Sequence, residues 1–284
     1  MDVPQLFIAG VVFFLYMTLL WWVGIKKGNA GLVDFGWPSG FTALAIVNYW
    51  MAEQRHPALL VLTVLYGCCG VRFIVGWTVR NVRDGEDRRW EYWRILWREG
   101  RGKLGIRSVA GNLFLFYHAQ TFATLAILVV PLVIVGQSPS QSFHRLEWIG
   151  LGLWVFAFIM ENVADVQLDH HRRNCQGYRV CRKGLWRYSR HPNYFFEFVI
   201  WVSYAVFAWP SASEPLQFVV LLLVPVTAYG FLVYFTGIPV TEAASLDRRG
   251  EAYAQYQAET NRFFPGFPKD RDGSSFAGQM RRMR

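Results

Sequence analysis

Residues 6–25 read LFIAGVVFFLYMTLLWWVGI, a stretch with no charged side chain, closed by Lys26 and Lys27. As a helix it rises about 30 Å, the hydrocarbon thickness of a bilayer. Similar blocks recur along the 284 residues, and the chain is 53% hydrophobic and 17% aromatic with only 17% charged residues. A soluble domain carries about a quarter charged residues, so the surplus apolar surface needs a non-aqueous partner. The expectation is an all-α polytopic membrane protein of about seven transmembrane helices. The blocks place them at 5–25, 35–52, 58–79, 112–136, 147–166, 193–211 and 215–237, with amphipathic helices on the cytosolic surface between and after them. MDVPQLF carries no basic n-region, so the first block reads as a retained span and not a cleaved signal.

The basic residues sort to one side of these blocks. All 29 Lys and Arg except Arg55, Arg72 and Arg145 fall after the first, third, fifth or seventh block. The positive-inside rule then sets the N-terminus outside and the C-terminus in the cytoplasm, as expected for an integral protein of a bacterial inner membrane. The same sorting explains the net charge of +9 without nucleic acid, and membrane lipid is the partner it implies. Residues 1–269 read as a single seven-span domain, with 1–136 on the substrate side and 145–265 as a cofactor-binding half. The stretch 270–284 reads as a flexible basic tail. Cys68 and Cys69 are adjacent, and Cys175 and Cys181 do not form a CxxC pair, so reduced structural cysteines are expected. No repeat and no feature fixing an oligomeric state is visible.

Ionisable and polar side chains inside apolar blocks are costly and point to buried pairs or function. Asp34 opens the second block beside Trp37 and Pro38; it reads equally as a helix cap and as an acid facing a cavity. Tyr117, His118 and Gln120 lie in the fourth block, able to polarise a carbonyl or simply to bond between helices. Asp34, Tyr117 and His118 are the catalytic candidates, and Trp37 and Gln120 are the substrate-binding ones.

The densest polar stretch runs from Glu161 to Glu197. Glu161, Asn162, Asp165 and Gln167 come first; Arg172, Lys183, Arg187, Tyr188, Arg190, His191, Asn193, Tyr194 and Glu197 follow. Acids and amides followed by cations suit a ligand bearing both hydroxyls and phosphates. Pro192 heads the sixth block, where its missing amide costs nothing. His170 and His171 point about 100° apart on a helix, so no metal site is expected. No GxGxxG follows a strand, so a dinucleotide would not be held by a Rossmann unit.

Arg190-His191-Pro192-Asn193-Tyr194, with Glu197 beyond it and an aromatic-rich segment ending near Phe264-Pro265, resembles the C-terminal half of the membrane steroid 5α-reductases. Sterol C14-reductases and isoprenylcysteine methyltransferases share that half. Glu161-xxx-Asp165 ahead of the basic loop is more similar to the reductases, here a bacterial homologue. The resemblance covers about residues 145–265. It implies NADPH-dependent reduction of the Δ4 double bond of a 3-oxosteroid, or another apolar enone, by hydride transfer to C5 while an acid polarises the 3-keto oxygen. It assigns the Glu161–Glu197 set to the cofactor, with Glu242, Tyr253 and Tyr256 closing over it. Thr241 stands where the family often has Arg. The second block lacks the family's Gln-Glu pair, having Asp34 at its start and Glu53-Gln54 in reversed order at its far end. Asp34, then Tyr117, therefore stand in as proton donors. Two other readings remain open: a membrane methyltransferase using S-adenosylmethionine, and a non-enzymatic sterol- or lipid-binding membrane protein.

Overall fold

The computed structural model describes residues 3–87, 89–100, 106–139, 142–174 and 180–269. The expected tail 270–284 and Cys175 lie outside the described residues. The regular elements are helices: α1 (Val3–Lys27), α2 (Val33–Met51), α3 (Pro57–Asp84), α4 (Arg89–Arg98), α5 (Val109–Ala123), α6 (Val130–Gln137), α7 (Arg145–Asn174), α8 (Pro192–Ala208), α9 (Pro215–Gly230), α10 (Ile238–Arg249) and α11 (Glu251–Glu259). The protein is an all-α polytopic membrane protein.

Among the described residues six helical stretches are long and apolar enough to cross a bilayer: Phe7–Lys27, Ala30–Met51, Pro57–Asp84, Val109–Gln137, Arg145–Asn174 and Pro215–Arg249. The seventh expected span, 193–211, is the 17-residue α8 followed by a 3-10 turn at Trp209–Ser211. Seventeen helical residues rise about 26 Å, the lower limit for a crossing, because Pro210 cannot extend the α-helical ladder. α7 continues to Asn174, eight residues beyond its expected end at 166, so Gln167 to Arg173 are helical rather than loop.

Two spans change pitch where the sequence forces it. A π turn at Thr124–Leu128 separates α5 from α6, whose first turn holds Pro131, and a second at Phe231–Phe235 precedes Gly237 and Pro239. A π turn absorbs the hydrogen bond that a proline removes. The amphipathic stretch expected after the last block is divided into α10 and α11 by Gly250. Its φ of +50° lies in the region that favours glycine, and its amide closes α10 on the Leu246 carbonyl at 2.8 Å.

The chain divides into two compact units. One comprises Met1–Leu151 and Ser203–Thr227, the other Gly152–Val202 and Ala228–Arg284. In the first, α2 lies along α3, with Phe41 edge-on to Tyr66 and Tyr66 stacked on Tyr204 at 4.0 Å. α1 and α5 are tied by the Trp21 indole donating to the Ala110 carbonyl at 3.0 Å. Near the other end of α2, the buried Asn48 amide donates to the Leu132 carbonyl, and His56 Nε2 bonds the Val135 carbonyl at 2.9 Å. Val135 lies in the last turn of α6, where carbonyls run out of intrahelical donors. In the second unit, Leu232, Val233, Ile238 and Phe263 form an apolar core flanked by Phe195, Phe198 and Tyr229.

Candidate functional site

In the second unit the segment Lys183–Tyr194 is fixed from both sides. Its 3-10 turn, Gly184–Arg187, docks on α7: the Gln167 side chain accepts from the Leu185 amide and the Trp186 indole donates to the Ala164 carbonyl, both at 2.9 Å. On its other side the Tyr256 hydroxyl donates to the Trp186 carbonyl at 2.5 Å, the Ser189 hydroxyl donates to the Phe263 carbonyl at 2.8 Å, and the Arg190 amide donates to the Asn261 carbonyl at 2.8 Å. A short irregular segment with so many exposed backbone groups holds its shape only because those groups are satisfied.

Arg190 is the hub. Its Nε donates to Glu242 Oε1 at 2.7 Å, and one terminal nitrogen donates to the carbonyls of Gln257 (2.8 Å) and Thr260 (2.6 Å). The arginine is 8% exposed, so the ion pair, a single Nε–Oε1 contact, is withdrawn from water. His191 shares Glu242 Oε1 at 3.2 Å and lies parallel to the Tyr194 ring at 5.5 Å. A carboxylate only accepts, so the histidine proton sits on Nε2. Burial pushes the His191 pKa down, and the charges of Arg190 and Arg262 add to that; Glu242 opposes them without reversing the sign. Gln257 Nε2 occupies the second Glu242 oxygen at 3.0 Å.

Asn193, in the first turn of α8, donates to Asp165 Oδ1 on α7 at 3.1 Å. Its own carbonyl oxygen is buried, and no donor among the described residues reaches it. A buried acceptor without a donor costs about 1–3 kcal/mol unless a ligand or water supplies one. Glu161 and Glu197, each four residues from one of this pair, are buried at 2% and 8% exposure. The Tyr194 hydroxyl meets Thr241 Oγ1 at 3.4 Å. Tyr253 and Tyr256 pack edge to face, and burial raises both phenols, Tyr253 to about 12 with Glu242 adding to the rise. Both are therefore neutral hydroxyls at physiological pH.

Asp165, Arg190, His191, Asn193, Tyr194 and Glu242 thus come together, and Gln167 and Tyr256 brace the loop that carries them. Asn162 donates to the Phe158 carbonyl of its own helix at 2.7 Å. Arg172, Lys183, Arg187 and Tyr188 lie at the surface of the unit. Sequence reasoning missed Trp186, Ser189, Gln257 and Thr260. The last two act partly or wholly through backbone carbonyls, which leave no trace in residue identity.

In the first unit, Asp34 and Tyr117 lie near the start of α2, and the other candidates are elsewhere. The Tyr117 hydroxyl donates to the Ala30 carbonyl at 3.0 Å. Asp34 faces Arg89 at 3.5 Å, and Arg89 also pairs with Asp87 at 3.0 Å. Asp87 caps α4 by accepting from the Arg89 amide at 2.9 Å; burial pushes its carboxyl up, but Arg89 outweighs that and holds it below the usual range. Glu86 grips Arg94 at 2.5 Å and accepts from the Ala30 amide, while Arg94 donates to the Gly28 carbonyl at 2.9 Å. His118 points instead at α1, bonding Thr18 at 3.3 Å and stacking on Phe14 at 4.0 Å. Trp37 donates its indole proton to Thr124 at 2.8 Å, and the Gln120 carbonyl receives the Thr124 hydroxyl. Arg89 and Trp90 open α4, in the connection between the third and fourth blocks, so nothing in the spacing of the apolar blocks linked them to Asp34.

These features define a helical membrane protein with a buried polar hub in its C-terminal half. Residues 20–260 match the family described as "Protein of unknown function (DUF1295)", and the chain belongs to that family. The family is related to steroid 5α-reductase-like membrane proteins. The chain is 24% identical to uncharacterized protein C594.04c of Schizosaccharomyces pombe over 91% of its own length and 79% of that protein's. It is 26% identical to uncharacterized protein C7D4.09c of the same yeast over 37% of each chain. No solved structure matches.

Proposed function

We propose that this protein is an NADPH-dependent reductase of apolar enones, with Δ4-3-oxosteroids as the substrate class. The observation that carries the reading is Asn193: a buried amide oxygen lacking a donor, oriented by Asp165 and set among the residues that the family relationship points to. A ribose hydroxyl or a carboxamide N–H fits such an acceptor. NADPH, when bound, supplies a hydride. Asp165 and Asn193 would hold its hydroxyl-bearing part, Arg172, Lys183 and Arg187 would meet its phosphates, and Tyr194, Tyr253 and Tyr256 would contribute neutral hydroxyls and ring faces. Asp34 is the candidate that would polarise and protonate the ketone oxygen. The basic side of the chain faces the cytoplasm on this reading, with the C-terminus inside.

A second reading has one observation in its favour. Arg190, the most buried cation of the hub, is already neutralised by Glu242, and a pocket with that charge removed suits a sulfonium cofactor better than a phosphate-rich one. Titration of the purified protein in detergent with NADPH and, separately, with S-adenosylmethionine decides between them. The reductase reading expects saturable NADPH binding, loss of absorbance at about 340 nm on adding testosterone or progesterone, and the 5α-product. Binding of S-adenosylmethionine alone, or no cofactor oxidation with any enone, overturns it.

A further inference from the structure

In the first unit an open cavity of about 530 Å³ is lined by Glu86, Asp87, Glu91, Arg94, Ile95 and Arg98, a size in the range of small-molecule sites. Its floor is fixed. Arg94 and Glu86 pair with side chains 21% and 20% exposed, the Glu86 carboxylate accepts from the Ala30 amide, and Arg94 donates to the Gly28 carbonyl at 2.9 Å. Those two backbone groups belong to the connection that follows Lys26 and Lys27, the basic residues closing the apolar stretch of α1. Such residues mark the level at which a span leaves the hydrocarbon, so the cavity lies at the depth of the lipid head groups.

The rim is built differently. Glu91, Ile95 and Arg98 share one face of α4 at i, i+4 and i+7, while Trp90 and Trp97 on another face are buried. Neither Glu91 nor Arg98 makes a hydrogen bond or an ion pair with a described residue. They stand about 10 Å apart along the helix axis, too far to pair with each other. A solvated helix face gains from opposite charges four residues apart, yet the position four beyond Glu91 holds Ile95, 47% exposed. The helix dipole favours an acid in the first turn and a cation in the last, but it does not call for that isoleucine. Arg94 is neutralised by Glu86, and Asp87 by Arg89. What remains is one anion and one cation on the same cavity, with apolar surface between them. We propose that this cavity receives the phosphoethanolamine head group of a membrane lipid. The ammonium donates to the Glu91 carboxylate, the phosphate takes the Arg98 fork, and the two methylenes between them lie on Ile95. A choline head group carries the same charges but has no N–H to donate, and a glycerol head group has no cation. The assignment stands apart from the reductase reading.

Binding is measured on the full chain, freed of lipid in detergent, by native mass spectrometry. The probes are dioleoyl phosphatidylethanolamine, phosphatidylcholine and phosphatidylglycerol. The ethanolamine lipid is expected to bind about tenfold tighter than the other two, the worth of one hydrogen bond to a charged group. Glu91→Gln is expected to bring it down to their level, and Arg98→Gln to weaken all three, since each carries the phosphate. Both variants are expected to keep the wild-type thermal midpoint, because both side chains are exposed. Glu214→Gln, an exposed acid ahead of α9, serves as the control and is expected to change nothing. Equal affinities of the wild type for the three lipids overturn the proposal. So does a preference for phosphatidylglycerol that Arg98→Gln removes, which marks only a basic surface, and so does an ethanolamine preference that survives Glu91→Gln. Soluble glycerophosphoethanolamine is the last probe: binding at least about tenfold weaker than that of the lipid is expected, and equal affinity overturns the membrane lipid as the source of the head group.

Discussion

Two arginines, each facing a carboxylate, mark the two polar regions of this protein, and they are built to opposite standards. In the C-terminal half Arg190 meets Glu242 at 2.7 Å, with side chains 9% and 12% exposed and two carbonyls completing the shell. At the start of α2, Arg89 meets Asp34 at 3.5 Å, with side chains 29% and 31% exposed, and divides itself between Asp34 and Asp87. The first arrangement spends its hydrogen-bonding capacity on the fold. The second is longer and more exposed, with one arginine shared between two acids. A group whose bonds are all internal holds shape, whereas unspent donors and acceptors are what a ligand can use.

The sharpest test of that contrast is Glu242→Ala. It strands a buried guanidinium and removes the acceptor of His191, and a broken buried pair costs about 3–5 kcal/mol. The expected outcome is a protein that unfolds at much lower temperature in detergent or cannot be recovered folded, with Glu242→Gln milder because it keeps a neutral acceptor. An alanine variant of wild-type thermal stability would show that Arg190 does not organise this half. Next in size is Tyr256→Phe, which leaves the Trp186 carbonyl without its 2.5 Å donor. The cost expected is about 1–3 kcal/mol, read as a lower thermal midpoint. Asn193→Ala should behave differently, weakening NADPH binding about tenfold, the worth of roughly one hydrogen bond, with little change in the midpoint.

How much of this was legible in the residues follows from what each feature depends on. The long blocks are visible because a bilayer demands uniform apolarity over a fixed length, so 5–25 and 58–79 announce themselves. The cluster at Arg190-His191-Pro192-Asn193 was found because charged residues next to a helix-starting proline are rare in such a chain. The extension of α7 was hidden: Gln167 to Arg173 are polar enough to read as loop, yet a helix tolerates them once it leaves the bilayer. The break at Gly250 was hidden too, since only its backbone angle separates α10 from α11. The partners of Arg190 could not be read at all, being carbonyls, and Trp90 meets Asp34 only because α4 folds back on the start of α2.

His191 offers a smaller effect that still reads the hub. Burial, Arg190 and Arg262 depress its folded-state pKa against the pull of Glu242, with Tyr194 lying flat beside the ring. A depressed histidine is neutral in the fold, so protonation favours the unfolded chain. Its stabilising contribution is complete above the unfolded value of about 6.5 and is lost as pH falls through the lower folded value. Thermal midpoints taken from pH 8 down to pH 5 should fall, and His191→Gln should flatten the part of that slope below about pH 6.5. An unchanged slope would mean that the imidazole is as easily protonated inside the hub as in water.

The least disruptive change expected is Arg89→Ala. A half-exposed pair at 3.5 Å gains little Coulombic energy and is screened by salt, so its removal costs about 0–1 kcal/mol. α4 keeps its docking through Trp90 and Trp97, both 4% exposed, and its start keeps Asp87, whose cap rests on the residue-89 amide rather than on the arginine side chain. The variant should therefore fold with a midpoint close to wild type, in contrast with Glu242→Ala. What it should alter is the charge beside Asp34. A reaction using Asp34 as its acid should therefore change its dependence on pH. The pH profile of enone reduction, with thermal midpoints taken alongside, checks both halves: a large drop in stability would place Arg89 with Arg190 as a structural cation, and an unmoved profile would detach Asp34 from the proton transfer.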